Sequence, residues 1–320
     1  MSKINKKCYS GIGGQAVIEG IMMKNKNEYA VAVRKPNGEI VVKKEEYVSP
    51  SEKFKILKIP FLRGVFAMAD SLILGIKTLN YSASFVEEVE TEENQSKIEK
   101  WLEEKLTKNN MDFLIGVITF FSIIFAICIF SLLPAFLGNL LKLFISSNFI
   151  ISFSEGLIRI IIFVSYILMI SRLPEIKRTF EYHGSEHKCI NCIENGFDLT
   201  VENVMKSSKE HKRCGTSFLV FVMIISIFLF MFIRTDSIWM KFLSRILLIP
   251  VVAGVSYEVL KLMGRFDNRV VDILSKPGLM MQKLTTREPN EDEVLVAIKA
   301  VEEVFDWKEF QKNNFNKIFN

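Results

Sequence analysis

The chain has 320 residues, 49% hydrophobic and 24% charged, with 41 Lys and Arg against 36 Asp and Glu and a net charge of +5. Phe, Ile and Leu gather in long runs between Phe113 and Met263 while charges gather outside them, which excludes a soluble globule, a disordered chain and a secreted disulfide scaffold. The positive charge has no polybasic block to argue for nucleic acid, and the five Cys, with no secretory leader in the polar residues 1–20, read as reduced thiols facing the cytoplasm.

The first 50 residues predict a small β layer. Gly11-Ile-Gly-Gly-Gln-Ala-Val-Ile-Glu-Gly20 could bring backbone N–H groups to an anion. No helix start follows it, so a turn and a bulged strand are expected. Glu28–Arg34 and Glu39–Lys43 flank Pro36-Asn37-Gly38 and predict a β-hairpin over 28–46.

Residues 51–111 predict an amphipathic helix and an acidic linker. Arg63, Asp70 and Lys77 fall seven apart and share one helical stripe, with Phe61, Leu62, Val65, Phe66, Leu72, Ile73, Leu74 and Ile76 around it. Such a helix, over 59–79, would lie in the cytoplasmic interface or dip into the membrane against the bundle, and a packing element without chemistry is the preferred reading. Residues 87–104 hold eight Glu and two Lys and read as a solvated linker.

A bilayer core takes about 20 apolar residues in helix, and within 112–263 four segments qualify: Asp112–Leu133, ending at Pro134, then Phe153–Ser171, Gly215–Ile233 and Phe242–Met263. Ala135–Ile151 is too mixed for a span and suits the outer interface. Glu155 and Arg159, four apart, are expected to pair on one helix face. The loop 172–214 carries eight Lys and Arg, the loop 134–152 only Lys142, which sets both termini and that loop inside. Residues 264–320 form a cytoplasmic tail, where Asn290 caps a helix with Val294, Leu295, Ile298, Val301 and Phe305 on its apolar face.

All three histidines lie in that basic loop, together with three of the five Cys. His183-Gly-Ser-Glu186-His187 puts two imidazoles four apart on one helix face, a spacing that holds one metal ion, with Glu186 beside them as a general base. H-x-x-E-H is the order of the inverzincin metalloproteases, whose third ligand is a distant Glu; Glu258 is the candidate. Cys189-x-x-Cys192 with His211-x-x-Cys214 offers instead a closed structural zinc shell. A mixed set of His183, His187, His211 and Cys214, leaving Glu186 free, is preferred. The bland alternative has the histidines bonded to headgroups or loop carbonyls and the Cys buried as small side chains.

Several blocks together resemble the YqhQ-like family of bacterial multi-pass membrane proteins: Gly13–Gly20 with Ile21-Met-Met, Tyr182–Lys188, His211–Phe218, Ser256-Tyr-Glu258, Pro277-Gly-Leu and Leu284–Pro289. The resemblance covers nearly the whole chain. It implies a bacterial inner-membrane protein described as a predicted metal-dependent enzyme of unknown function. It points to His183, Glu186, His187, His211, Cys214 and Glu258. The chain has Lys212 where the family usually has Pro, and Cys189 lies outside the family pattern.

The expectation is a mainly α integral membrane protein with about four transmembrane helices, a small N-terminal cytoplasmic β layer and an interfacial helix. The lipid bilayer is its partner, and a divalent metal ion, zinc above others, is its cofactor. The function expected is metal-dependent hydrolysis at the cytoplasmic membrane surface. A scaffold or regulator whose metal is structural is the alternative; a transporter is weaker, because the spans carry few polar residues.

Overall fold

The structure is a computed structural model that describes residues 7–49, 57, 59–87, 108–233, 237–263, 266 and 268–319. Most of the expected acidic linker, 88–104, lies outside the described residues. The chain divides into two compact units, one of Met1–Val86, Ile167–Val222 and Ala253–Asn320, the other of Glu87–Tyr166 and Met223–Val252.

The first unit is built on a four-stranded antiparallel meander in the order β1-β2-β3-β4: Gly13–Val17, Gly20–Asn25, Glu28–Arg34 and Ile40–Glu46. The expected hairpin is β3–β4, with Val33 opposite Val41 and Gly38 at φ 87° in its turn. The glycine-rich stretch supplies β1 and the start of β2, joined by a two-residue turn in which Glu19 has φ 48°.

Strand alternation divides the side chains into two faces. Val17, Met22, Tyr29, Val31 and Val33 pack with Leu74, Tyr81 and Phe85 of α1 (Leu62–Glu87). Ala16, Ile21, Met23, Ala30 and Ala32 form the other face, against α5 (Pro174–Glu194) and α10 (Glu291–Val304). The tail helix α10 begins with the expected Asn290 cap, reciprocated by Glu293 as a capping box.

The stripe of α1 is used residue by residue. Arg63 binds Glu258, Asp70 accepts from the hydroxyls of Tyr47 and Ser49, and the Lys77 ammonium donates to Glu45. The helix is therefore a wall over the sheet, with Leu72, Ile73 and Ile76 turned outward and exposed.

Among the described residues, three helices are long and apolar enough to cross a membrane: Gly116–Leu143, Asn148–Ile170 and Phe242–Met263. They correspond to the first, second and fourth expected spans. The third is the apolar helix α7 (Gly215–Phe230), 16 residues long. Pro134 does not end the first span. After α2 (Lys108–Ile127) a π-helical turn at Cys128–Leu132 leads into α3 (Leu133–Leu140), which takes Pro134 in its first turn, where a missing N–H costs nothing. The segment 135–151 is thus shared between that helix and α4 (Asn148–Ile170), with a short 3₁₀ turn at Leu141–Leu143.

In the second unit Glu155, on α4, pairs with Arg245 of α8 (Ile238–Met263). Arg159 donates from Nη1 to Ser226 Oγ at 2.9 Å and from Nε to the Phe130 carbonyl at 3.0 Å. All three charged side chains are buried in a cluster that joins several helices, in which the ion-pair partner of Glu155 is Arg245 of another helix.

Candidate metal centre

The helix α5 enters through Pro174 at its start and is buried from Ser185 to Glu194. Gly184 does not interrupt it. A Cβ there would stand 2.0 Å from the carbonyl oxygen of Arg287, so glycine lets an extended strand of chain cross the helix in contact. That segment is pinned by the Arg287 N–H, which donates to the Phe180 carbonyl at 2.9 Å.

The crossing fixes the first imidazole. Nδ1 of His183 lies 2.8 Å from the Thr285 carbonyl, and Nδ1 of His187 lies 2.6 Å from the Lys209 carbonyl. A carbonyl only accepts, so each Nδ1 carries a proton and Nε2 is the nitrogen left for a ligand. Nε2 of His183 lies 3.2 Å from Sγ of Cys214. Ligand atoms of His183, His187 and Cys214 all lie within 4.8 Å of one another.

The loop that carries Lys209 is held by α5 itself. Lys188 donates to the carbonyls of Met205 and Ser207, and Asn191 to those of Ser208 and Glu210. Beyond it a turn, closed by Cys214 N–H to the His211 carbonyl at 3.3 Å, delivers Cys214 to the start of α7. Thr216 N–H lies 3.4 Å from the sulfur. The thiolate is the form in which a cysteine binds metal.

These donors fit a divalent soft-to-borderline cation. Two imidazole nitrogens and a thiolate, each ring steered by a carbonyl, match a zinc shell with one position left open. A tetrahedral shell places ligand atoms about 3.3–3.8 Å apart, so the set needs only modest side-chain contraction.

Two expected ligands are placed elsewhere. Nε2 of His211 lies 3.4 Å from Glu194, and its backbone exchanges hydrogen bonds with the Gln282 amide. Burial lowers the His211 pKa to about 4, against the opposing pull of Glu194. Burial raises the Glu194 carboxyl, but His211 and Arg213 outweigh it and hold it at about 2. Glu258 accepts from Nε of Arg63 at 2.6 Å and from the Phe61 N–H at 3.3 Å. The closed Cys/His shell is not assembled either. Cys192 donates toward the carbonyls of Phe197 and Asp198, and burial pushes its thiol up to about 11; Cys189 is fully buried in the core, its thiol also pushed well up.

Glu186 is buried, and burial raises its pKa against the opposing effects of His183 and the Gly14 N–H, from which it accepts. A Cβ on Gly14 would lie 3.0 Å from the Glu186 carboxyl carbon. The glycine-rich stretch is therefore what brings β1 against the carboxyl. On the other side of this strand a cavity of about 480 Å³ is lined by Gly13, Gly14, Gln15 and Lys24, by Asp70 and Ser71 of α1, and by Gly215.

Sequence reasoning missed Glu194 and Gln282. Glu194 was within reach, because it follows His187 by seven residues and so shares its stripe of α5. Gln282 had no such signal; it reaches the turn from α9 (Arg269–Thr285), 71 residues away along the chain.

No solved structure matches the chain significantly. It is 37% identical over 303 residues to the uncharacterized protein YqhQ of Bacillus subtilis (strain 168), covering 94% of each chain. Residues 59–307 match the family described as protein of unknown function (DUF1385). With its His183 helix, Cys214 turn and apolar helices all inside that match, the chain belongs to the DUF1385 family.

Proposed function

We propose that the chain is a metal-dependent hydrolase of the bacterial inner membrane, with its termini and its metal centre on the cytoplasmic side. The observation that carries this reading is the common orientation of His183 and His187. Both rings give Nδ1–H to a backbone carbonyl and keep Nε2 for a ligand near Cys214. Such outer partners are the usual means of presenting imidazole to a metal.

A zinc ion held by His183, His187 and Cys214 supplies Lewis acidity when bound. The protein's own part is to orient and to move a proton. Lys209 and Thr285 lock the two rings through their carbonyls. Glu186 stands one residue before His187 on β1's edge and accepts the proton that hydrolysis releases. The cavity bounded by Gly14 and Gly215 gives a substrate access to that edge.

Elemental analysis of the purified protein tests the centre. About one zinc per chain is expected, lost in His183→Ala/His187→Ala and kept in Glu186→Gln. A panel of chromogenic carboxylic esters, phosphate esters and a quenched peptide tests the chemistry. Glu186→Gln should lower turnover by about 10²–10⁴-fold. Equal metal in wild type and the double variant would overturn the reading.

One observation favours a second reading, in which the metal only joins α5 to the turn before α7. The Glu186 carboxyl already has a backbone partner in Gly14. A scaffold of this kind would keep metal in wild type and Glu186→Gln, lose it in His183→Ala/His187→Ala, and show no turnover that Glu186→Gln removes.

A further inference from the structure

We infer that the cavity between the sheet and α1 binds an organic phosphate, the anionic group of the substrate. This names the substrate class of the proposed hydrolase and rests on that reading for its catalytic meaning. The cavity holds about 480 Å³, room for a phosphate ester with a small organic group.

Its walls are mixed: glycine backbone on one side, and apolar Met22, Ala67 and Leu74 among the polar side chains. A Cβ on Gly11 or Gly13 would meet nothing within 4 Å, so the strand there faces open space. Gly11 has φ 79°, a conformation that other residues rarely hold. Gly215 opens the 16-residue helix α7, so that helix's N-terminal N–H groups border the same space with the positive end of its dipole.

The side chains give the cavity its sign. Lys24 and Lys26 line it, with Lys24 Nζ 4.9 Å over the Tyr47 ring. Asp70 is the carboxylate in the lining, and it already accepts from the hydroxyls of Tyr47 and Ser49. Among the described residues, Lys24, Lys26, a helix N-terminus and glycine backbone outnumber the carboxylate of Asp70 and suit an anion. Gln15 and Ser71 add uncharged hydrogen-bonding groups suited to ester oxygens.

The position matches the chemistry. Gly14, in the lining, has the Glu186 carboxyl against it, and Gly215 directly follows Cys214. A phosphate held in the cavity would border Gly14 and Gly215, the neighbours of the Glu186 carboxyl and of Cys214. The outward face of α1, with Leu72, Ile73 and Ile76 exposed, suits a helix resting on lipid, so the phosphate has two sources: a lipid headgroup or a soluble ester.

The test uses the full chain in neutral detergent micelles with two probes, glycerol phosphate and lysophosphatidic acid, and with glycerol as control. Saturable binding of at least one phosphate probe is expected, weakened about tenfold or more in Lys24→Gln/Lys26→Gln. Ser71→Glu, which adds a charge from the opposite wall, should weaken it similarly. Both variants should melt like the wild type, since neither Lys24, Lys26 nor Ser71 is buried. Tighter binding of lysophosphatidic acid assigns the lipid source; equal binding assigns the soluble one. No binding of either probe, or binding indifferent to both variants, overturns the inference. Zinc measured in the same samples keeps the two readings apart: a wild type that holds zinc but binds neither phosphate probe condemns the cavity alone, and a wild type that binds phosphate but holds no zinc condemns the metal centre alone.

Discussion

Nε2 of His211 lies 3.4 Å from the Glu194 carboxylate, and both side chains are buried. The same carboxylate accepts from Arg213 at 2.6 Å and from the N–H and hydroxyl of Ser10. Glu194 therefore fastens the N-terminal segment and the turn that delivers Cys214 to one helix. Glu194→Ala leaves Arg213 and His211 without their acceptor and should cost about 3–5 kcal/mol. Chemical unfolding in detergent, wild type beside variant, reads the loss.

The same pair sets an acid limit. The Glu194 pKa falls from 4.5 to about 2 in the folded protein, so its stabilisation is complete above 4.5 and is lost as pH falls toward 2. The His211 pKa falls from 6.5 to about 4, so unfolding takes up a proton in that window and acidification again destabilises. Each group contributes at most about 3 kcal/mol. Melting temperature should decline below about pH 6.5, and His211→Gln should delay the decline to about pH 4.5. A flat profile between those values in the wild type would contradict the buried neutral imidazole.

Gly184→Ala tests the crossing that orients His183. Its Cβ would meet the Arg287 carbonyl oxygen at 2.0 Å, and backbone must shift. Overpacking of this kind costs about 1–3 kcal/mol. Because the displaced segment also carries the Thr285 carbonyl, zinc affinity should fall by about 10–100-fold, as for loss of an outer partner. Competition with a chromogenic chelator measures it.

Glu258→Gln separates two roles for that residue. Its carboxylate is engaged by Arg63 and the Phe61 N–H, so zinc content should equal that of the wild type. The partly exposed ion pair itself should contribute less than about 1 kcal/mol. Zinc loss in this variant would restore Glu258 as a ligand.

Glu155→Gln should be far more damaging, because it leaves Arg159 and Arg245 buried beside each other without their carboxylate. A loss of about 3–5 kcal/mol is expected. Arg245→Met added to Glu155→Gln should recover much of it, since no uncompensated charge is then left at position 245. Thermal unfolding of the three proteins in one detergent provides the comparison.

Periodicity made much of this fold legible. The β3–β4 hairpin followed from alternation around Pro36-Asn37-Gly38, the α10 cap from Asn290, and the α1 stripe from the spacing of Arg63, Asp70 and Lys77. The site was legible in its helix, because His183 and His187 repeat at the helical period. Partners distant in the chain were not. Arg63 for Glu258, Arg245 for Glu155 and Gln282 for the His211 backbone lie 195, 90 and 71 residues away, and no local pattern encodes such pairings. Pro134 misled because a proline that ends one helix and one that opens the next turn carry the same local signal; the π-helical Cys128–Leu132 decided between them.

The continuous apolar helix Gly116–Leu143 has 28 residues, about 42 Å at helical rise, against a hydrocarbon slab of about 30 Å. Set across a bilayer, it must lean, bend at its π turn or thicken the lipid around it, each at a cost that grows with the excess length. Acyl-chain length therefore becomes a control parameter: vesicles of longer-chain lipid should hold this helix more upright, and thinner ones should tilt it further.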